Sequence, residues 1–465
     1  MLTYDLNRRG KHTMYEFLYE NVKEDILSGR LQSGTKLPSK RAFAEHLKVS
    51  IKTVENAYSQ LLVEGYIISK EKKGYFVNKI TQDPKRAPYT YESFVSKYKE
   101  DTYLADFTVN QCNIERFPFT MWAKAIRETL TDYDSSLLKT IPFNGVETLR
   151  MEIAEYLYRY RGMQVSPDHI IIGAGTEYLF NRLLQLFGRN AKYAIENPGH
   201  RKITRIYAAY HVEWTHVDID RQGMDVQILS KTNANVAYVS PGHHYPTGFV
   251  MPVGRRQELL HWAYEDKDRY IIENDYDCEF RNVGRPIPSL QSMDTRHRVI
   301  YMNTFSKTLA PSIRISYMVL PEKLMERYIS TMNFYSCTVS GLEQYTLAMF
   351  LKKGYFERHI RRMITYYRQQ REKINRIFQE SSLRDLCKIL EADAGTHFLL
   401  KVDTQLNDIE IKWAAKERGI LINCLSEYCF QNKDKYSKML IINYSNIEEN
   451  QFRQVITILE DIFIH

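Results

Sequence analysis

No stretch of this chain approaches 18 consecutive apolar residues, and no secretory leader opens it. Neither a membrane-spanning helix nor an exported protein is therefore expected, and the expected location is cytoplasmic. Cysteine is scarce. The six cysteines, at 112, 278, 337, 387, 424 and 429, include no Cys-x-x-Cys pair, which argues against a zinc knuckle and a disulfide framework. Low-complexity tracts are missing too, since the 34 tyrosines are scattered along the chain. The pair His243-His244 has no third ligand at metal spacing, so no metal site is expected.

What is present describes an ordinary globular chain, 44% hydrophobic and 26% charged, and its 465 residues call for two or three domains. The charge is unevenly placed. Residues 1–80 hold 14 Lys and Arg against 9 Asp and Glu, whereas the remaining 385 residues hold 50 against 47. A basic head on a nearly neutral body favours a polyanionic partner at the head.

The head patterns as helix, helix-turn-helix and β-hairpin. Apolar residues at 14, 17, 18, 22, 26 and 27 follow helical spacing, and Ser28-Gly29 closes that run. Ser39 is placed to cap a short helix through Leu47, and Ser50 to cap a second whose inner face carries Val54, Ala57, Tyr58, Leu61 and Leu62. Tyr66-Ile-Ile-Ser69 and Gly74-Tyr-Phe-Val77 alternate as strands around Lys70-Glu-Lys-Lys73. In such a module Ser50, Lys52 and Thr53 open the recognition helix toward DNA, with Glu55 beside them. Lys40, Arg41, Lys70, Lys72 and Lys73 would neutralise phosphates. Leu37-Pro-Ser-Lys-Arg-Ala-Phe-Ala44, Val49-Ser50, Thr53-Val54, Ala57-Tyr58 and Leu62-x-x-Gly65-Tyr66 resemble the GntR family of winged-helix repressors. The resemblance implies operator DNA as partner. Ile51 departs from it, standing where family members often carry Arg.

Residues 80–104 hold two prolines and no periodicity, and are expected to form an extended tether with a short helix from Tyr91 to Tyr103. The domains expected are thus 1–79, the linker 80–104, and a body over 105–465. In the body, Ile170–Gly173, Tyr193–Glu196, Val236–Val239, Tyr270–Glu273 and Val299–Met302 are short apolar strands separated by helical or loop segments. That alternation predicts an α/β sheet with its ligand at the strand C-terminal ends. Candidate residues fall there: Gly173-Ala-Gly-Thr-Glu177 opening a helix, Asn274-Asp-Tyr276, the Pro246-Thr-Gly248 turn, and Thr304-Phe-Ser-Lys-Thr-Leu-Ala-Pro-Ser-Ile-Arg314. A lysine after a small hydroxyl residue, with an arginine seven residues on, suits an anchor for a carbonyl cofactor beside a phosphate-binding group.

In this order these pieces resemble fold-type I pyridoxal 5'-phosphate aminotransferases. With the head attached, the chain is similar to the MocR-type branch of the GntR family, near its GABA-responsive member. The resemblance implies Lys307 as the covalent anchor and Arg314 as the phosphate partner, helped by Gly175, Thr176, Thr304 and Ser306. It further implies Tyr276 as donor to the ring hydroxyl, His200 stacked on the ring in place of the usual Tyr, and Arg201 or Lys202 for a ligand carboxylate. Three departures concern chemistry. Asn274 replaces the Asp that pairs with the pyridine nitrogen, Ile441 and Asn446 occupy the positions of the carboxylate-binding arginine, and Thr140 replaces a partner-subunit Tyr. Asp275 is expected on the opposite face, with Asp277 and Glu279 in local hydrogen bonds and ion pairs.

The leading expectation is a homodimeric, pyridoxal-phosphate-dependent transcriptional regulator that senses an amino compound or vitamer. The alternatives are a working aminotransferase carrying a DNA-binding head, which Asn274 and the absent arginine oppose, and a body without cofactor, which Lys307, Arg314 and Tyr276 oppose.

Overall fold

Two serine caps organise the head. The computed structural model describes residues 2–10, 12–80, 103–109, 112–280, 288–390 and 394–464, and the chain divides into two units, 1–99 and 100–465. In the first unit, helix α1 (Met14–Leu27) precedes α2 (Lys40–Leu47) and α3 (Ile51–Val63). Ser39 Oγ accepts from the Ala42 amide at 3.2 Å, and Ser50 Oγ from the Thr53 amide at 3.0 Å, satisfying donors that each helix start leaves open. Lys48 adopts a left-handed conformation that ends α2. Leu18, Val22, Phe43, Val54, Ala57, Tyr58 and Leu61 form one buried core with Ile67 and Val77 of the hairpin β1 (Ile67–Lys70) and β2 (Gly74–Val77). Each large side chain buried this way stabilises the head by roughly 1.5–3 kcal/mol. Leu62, expected on the inner face, is only half-buried, because the turn of α3 carries it to the edge of the core.

The second unit is built on an eight-stranded sheet. Its strands are β3 (Ile170–Ala174), β4 (Lys192–Asn197), β5 (Glu213–Asp220), β6 (Gly223–Met224), β7 (Val236–Val239), β8 (Tyr270–Asn274), β9 (Val299–Thr304) and β10 (Ile315–Val319). Their spatial order is β3-β10-β9-β8-β7-β4-β5-β6. β9, β8, β7, β4 and β5 pair in parallel, β10 runs antiparallel to both β9 and β3, and β6 turns back on β5. The central strands β7, β9 and β10 are buried along their whole length, as a sheet covered on both faces requires.

Each of the five expected strands is present, four of them extended by a residue or two and Val236–Val239 with the expected bounds. β5 and β10 were not expected: the body strands were sought as unbroken apolar runs, whereas β5 alternates apolar with polar residues, and β10 returns straight out of a loop. Beyond them lies a second, four-stranded antiparallel sheet of β11 (Cys387–Leu390), β12 (His397–Val402), β13 (Asn423–Cys424) and β14 (Met439–Asn443), in the order β11-β12-β14-β13. A 26-residue helix, Tyr355–Glu380, shares one apolar cluster with this sheet and with β3 and β10 of the larger one. The expected helix over 91–103 and most of the linker 80–104 lie outside the described residues.

Candidate functional site

The reversed strand β10 decides the geometry of the site. β3, β4, β7, β8 and β9 end on one edge of the sheet, and β10 begins there, with Ile315 opposite Ala174 and Ser316 opposite Thr304. Arg314, just before β10, therefore lies against Gly175 after β3 and lines the same cavity as Thr304 at the end of β9. The return between β9 and β10 carries Lys307. These ends surround a cavity of about 290 Å³ lined by Gly175, Thr176, Glu177, His200, Lys202, Tyr245, Asn274, Tyr276, Thr304, Ser306, Lys307 and Arg314, among others.

Burial governs the charges in this cavity. Removal from water lowers the Lys307 ammonium to about 8, and the neighbouring Lys202 charge pushes the same way, while Asp277 and Cys112 oppose it. Burial likewise lowers His200 to about 4, again with Lys202 and Lys307 acting in the same direction, so its ring is neutral near pH 7. His200 also caps the helix Arg201–Ala209, its Nδ1 accepting from the Lys202 amide at 3.3 Å.

Arg314 and Lys202 converge on one carboxylate. Arg314 Nη2 donates to Glu177 Oε2 at 2.6 Å, and Lys202 Nζ to Glu177 Oε1 at 2.5 Å. Burial raises the Glu177 carboxyl, but the two cations outweigh that and hold it below its ordinary value. Gly175 has a φ of +96°, which favours glycine, and its backbone lies against the Arg314 guanidinium, which an added Cβ would push aside. Thr304 and Ser306 spend their hydroxyls locally. Ser306 Oγ donates to the Ile313 carbonyl at 2.7 Å, and Thr304 Oγ1 accepts from Ser316 Oγ at 2.8 Å, which fixes the loop on either side of Lys307.

Deeper in the cavity, the Tyr276 hydroxyl lies 3.3 Å from His243 Nδ1, which is paired with Asp277 at 2.7 Å. Burial, then Asp277, push the Tyr276 phenol well above its ordinary value, so it stays a donor. The Asn274 amide reaches Ser240 Oγ at 3.5 Å. Asp275 turns the other way, to Arg161 at 2.5 Å and the Tyr301 hydroxyl at 2.8 Å. Glu279 accepts from the Tyr156 hydroxyl at 3.0 Å, and His244 meets Thr247 and Glu196.

All nine residues named from the sequence for a cofactor line this single cavity. Of the two expected carboxylate partners, Lys202 lines it. Arg201 does not: it points outward from the same helix, half-exposed, 3.8 Å from Glu427. Ile441 is buried in a small apolar cluster on β14, Asn446 and Thr140 are exposed, and none of the three lines the cavity. Sequence reasoning passed over Glu177 and Tyr245. Glu177 follows the glycine turn directly, and Tyr245 precedes Pro246, but only the fold brings them to Arg314 and to the Tyr428 hydroxyl (3.0 Å).

On the head, Arg41, Lys52, Lys72 and Lys73 are exposed. Glu55 draws Lys40 to 2.8 Å and Lys52 to 3.4 Å, and Ser50 and Thr53 hydroxyls lie 2.8 Å apart. Lys40 of α2 and Lys52 of α3 thus share Glu55. Ile51 stands at that helix start with half its surface exposed.

The fold and site define a helix-turn-helix head joined to an aminotransferase-like body. The family model of bacterial regulatory proteins of the gntR family matches residues 14–77, and that of class I and II aminotransferases matches 103–454. The HTH-type transcriptional regulator YdeL of Bacillus subtilis is 36% identical over 455 residues, covering 97% of this chain and 96% of its own. The probable rhizopine catabolism regulatory protein MocR of Rhizobium meliloti is 30% identical over 478 residues, covering 99% and 95%. A kynurenine aminotransferase of Pyrococcus horikoshii shares the body fold, with a TM-score of 0.68 at 22% identity over 78% of this chain and 91% of its own. The chain belongs to the MocR-type regulators, which join a GntR head to a fold-type I aminotransferase body.

Proposed function

We propose that this chain is a pyridoxal 5'-phosphate-dependent transcriptional regulator. Its winged helix binds operator DNA, and its aminotransferase-like body senses an amino compound or a vitamer. The single observation that carries the reading is the placement of Lys307 and Arg314 on one return loop, both facing one cavity. The residues fit the cofactor. A buried lysine lowered to about 8 is a ready carbonyl nucleophile, and Arg314 against the backbone of a left-handed glycine at a helix start suits a phosphate. In this reading Lys307 anchors the cofactor, Arg314, Gly175 and Thr176 hold its phosphate, Thr304 and Ser306 brace the loop, Tyr276 donates to its hydroxyl and neutral His200 covers the ring. Lys202 is the partner for a ligand carboxylate. When bound, the cofactor supplies an exchangeable carbonyl and an electron-withdrawing ring. Asn274 limits the second property, since an amide holds no proton on a ring nitrogen as a carboxylate does.

Sensing without turnover is therefore expected. The test combines spectroscopy with operator binding on the full chain. Amino compounds should shift the visible band of the loaded protein and change its operator affinity, yet convert the cofactor to its amine form slowly or not at all. Conversion at about one per second or faster, as ordinary enzymes show, would overturn this and make the chain an aminotransferase. Exposed Phe119, Leu130 and Leu138 support a homodimer, which ultracentrifugation tests. No helix among the described residues is long and apolar enough to cross a membrane, which agrees with a cytoplasmic regulator.

A further inference from the structure

Eighteen residues line the cavity, and Glu177 is the single carboxylate among them, facing Lys202, Lys307 and Arg314. It is not a bystander. Its two oxygens divide between the Arg314 guanidinium, at 2.6 Å, and the Lys202 ammonium, at 2.5 Å, although the partners come from elements 137 and 25 residues away in the chain. The Arg314 guanidinium lies against the Gly175 backbone on one side and is half-exposed on the other, so an incoming anion meets it beside Glu177.

We infer that Glu177 is a built-in competitor for the phosphate cradle, an affinity-setting residue that keeps binding of a phosphate-bearing ligand weak enough to be reversible. The inference rests on the reading of this cavity as a pyridoxal-phosphate site. A phosphate brings close to two negative charges. To pair with Arg314 it either takes Nη2 from the Glu177 oxygen or shares the guanidinium with it through Nε and Nη1, and in both cases the two anions repel across the cavity. A permanent prosthetic site gains nothing from such a residue. A site that reports vitamer concentration does, because occupancy responds only when the dissociation constant lies near the prevailing concentration.

The glutamine variant separates competition from simple positioning. Glu177→Gln keeps an acceptor oxygen for Arg314 or Lys202 but removes the charge. Wild type and variant are titrated with inorganic phosphate, pyridoxal 5'-phosphate and pyridoxal, by calorimetry and by quenching of tyrosine and tryptophan fluorescence. Both phosphate-bearing probes should bind the variant roughly fivefold tighter or more, the effect of removing an ion pair worth about 1 kcal/mol. Pyridoxal, which lacks the phosphate, should bind both proteins within about twofold. Equal or weaker binding of the phosphate-bearing probes by the variant overturns the inference and leaves Glu177 as a brace for Arg314. Glu177→Ala, checked by its melting curve, serves if the glutamine variant fails to fold. If pyridoxal 5'-phosphate gives no visible band with either protein while inorganic phosphate still prefers the variant, the cofactor reading fails and only the competition between Glu177 and phosphate itself is upheld.

Discussion

Lys307→Ala is expected to abolish the visible band that pyridoxal 5'-phosphate forms with the wild-type protein, and with it the label that borohydride fixes. The reason is chemical. Carbonyl addition needs the neutral amine, and at pH 7.5 about a quarter of a lysine lowered to about 8 is neutral, against roughly a thousandth at the ordinary value. No other lysine among the described residues combines that depression with a place in the cavity, so no residue replaces it. The wild-type band should form faster as pH rises toward about 8 and level off above it. Deprotonation supplies the nucleophile, and none remains to be gained beyond the folded value. A band of unchanged intensity in the alanine variant, read by absorbance and by mass spectrometry after reduction, would remove Lys307 from the anchor role.

Arg41→Ala combined with Lys52→Ala should lower operator affinity on the order of a hundredfold near 0.15 M salt. It should also reduce the slope of log affinity against log salt by about two for each head engaged, and so by about four for a homodimer with both heads on the operator, one for each phosphate that the variant no longer neutralises. Both side chains are exposed on the face built by α2 and the start of α3. Lys52 already shares Glu55 with Lys40, so part of its charge is offset before DNA arrives. The Lys52 single variant should consequently cost less than the Arg41 variant. Fluorescence anisotropy across a salt series decides it, and an unchanged slope would mean that neither cation reaches a phosphate.

The head was legible from sequence because its signals are local. Ser39 and Ser50 each act within three residues, Gly65 and Lys48 end helices by their own conformation, and the hairpin pairs segments separated only by Glu71-Lys-Lys73. The apolar strands of the body were legible for the same reason. β10 was not, since Ile315-Ser-Tyr-Met-Val319 gains its meaning from pairing with β3, far back in the chain. The small sheet β11–β14 escaped because β13 is only two residues long and a helix, Asp408–Glu417, and two 3-10 turns stand between its strands. At the site, motif order sufficed to gather Gly175, His200, Asn274, Tyr276, Lys307 and Arg314. It did not distinguish Lys202 from Arg201, which differ only in where one helical step points each side chain, nor reveal what Glu177 does.

The antiparallel course of β10 also bears on how the molecule breathes. The return from Thr304 to Arg314 is pinned at both ends, by the Phe305 amide on the Ile315 carbonyl at 2.9 Å and by Ser316 on Thr304, and tied across its middle by Ser306 on Ile313 and the Leu309 amide on the Phe305 carbonyl at 2.8 Å. Such a loop opens as one cooperative piece. Amide exchange at Phe305 and Leu309 should slow when inorganic phosphate engages Arg314, although the anion touches neither residue. Two contacts far apart on any ligand would then be felt by a single hinge-free segment of chain.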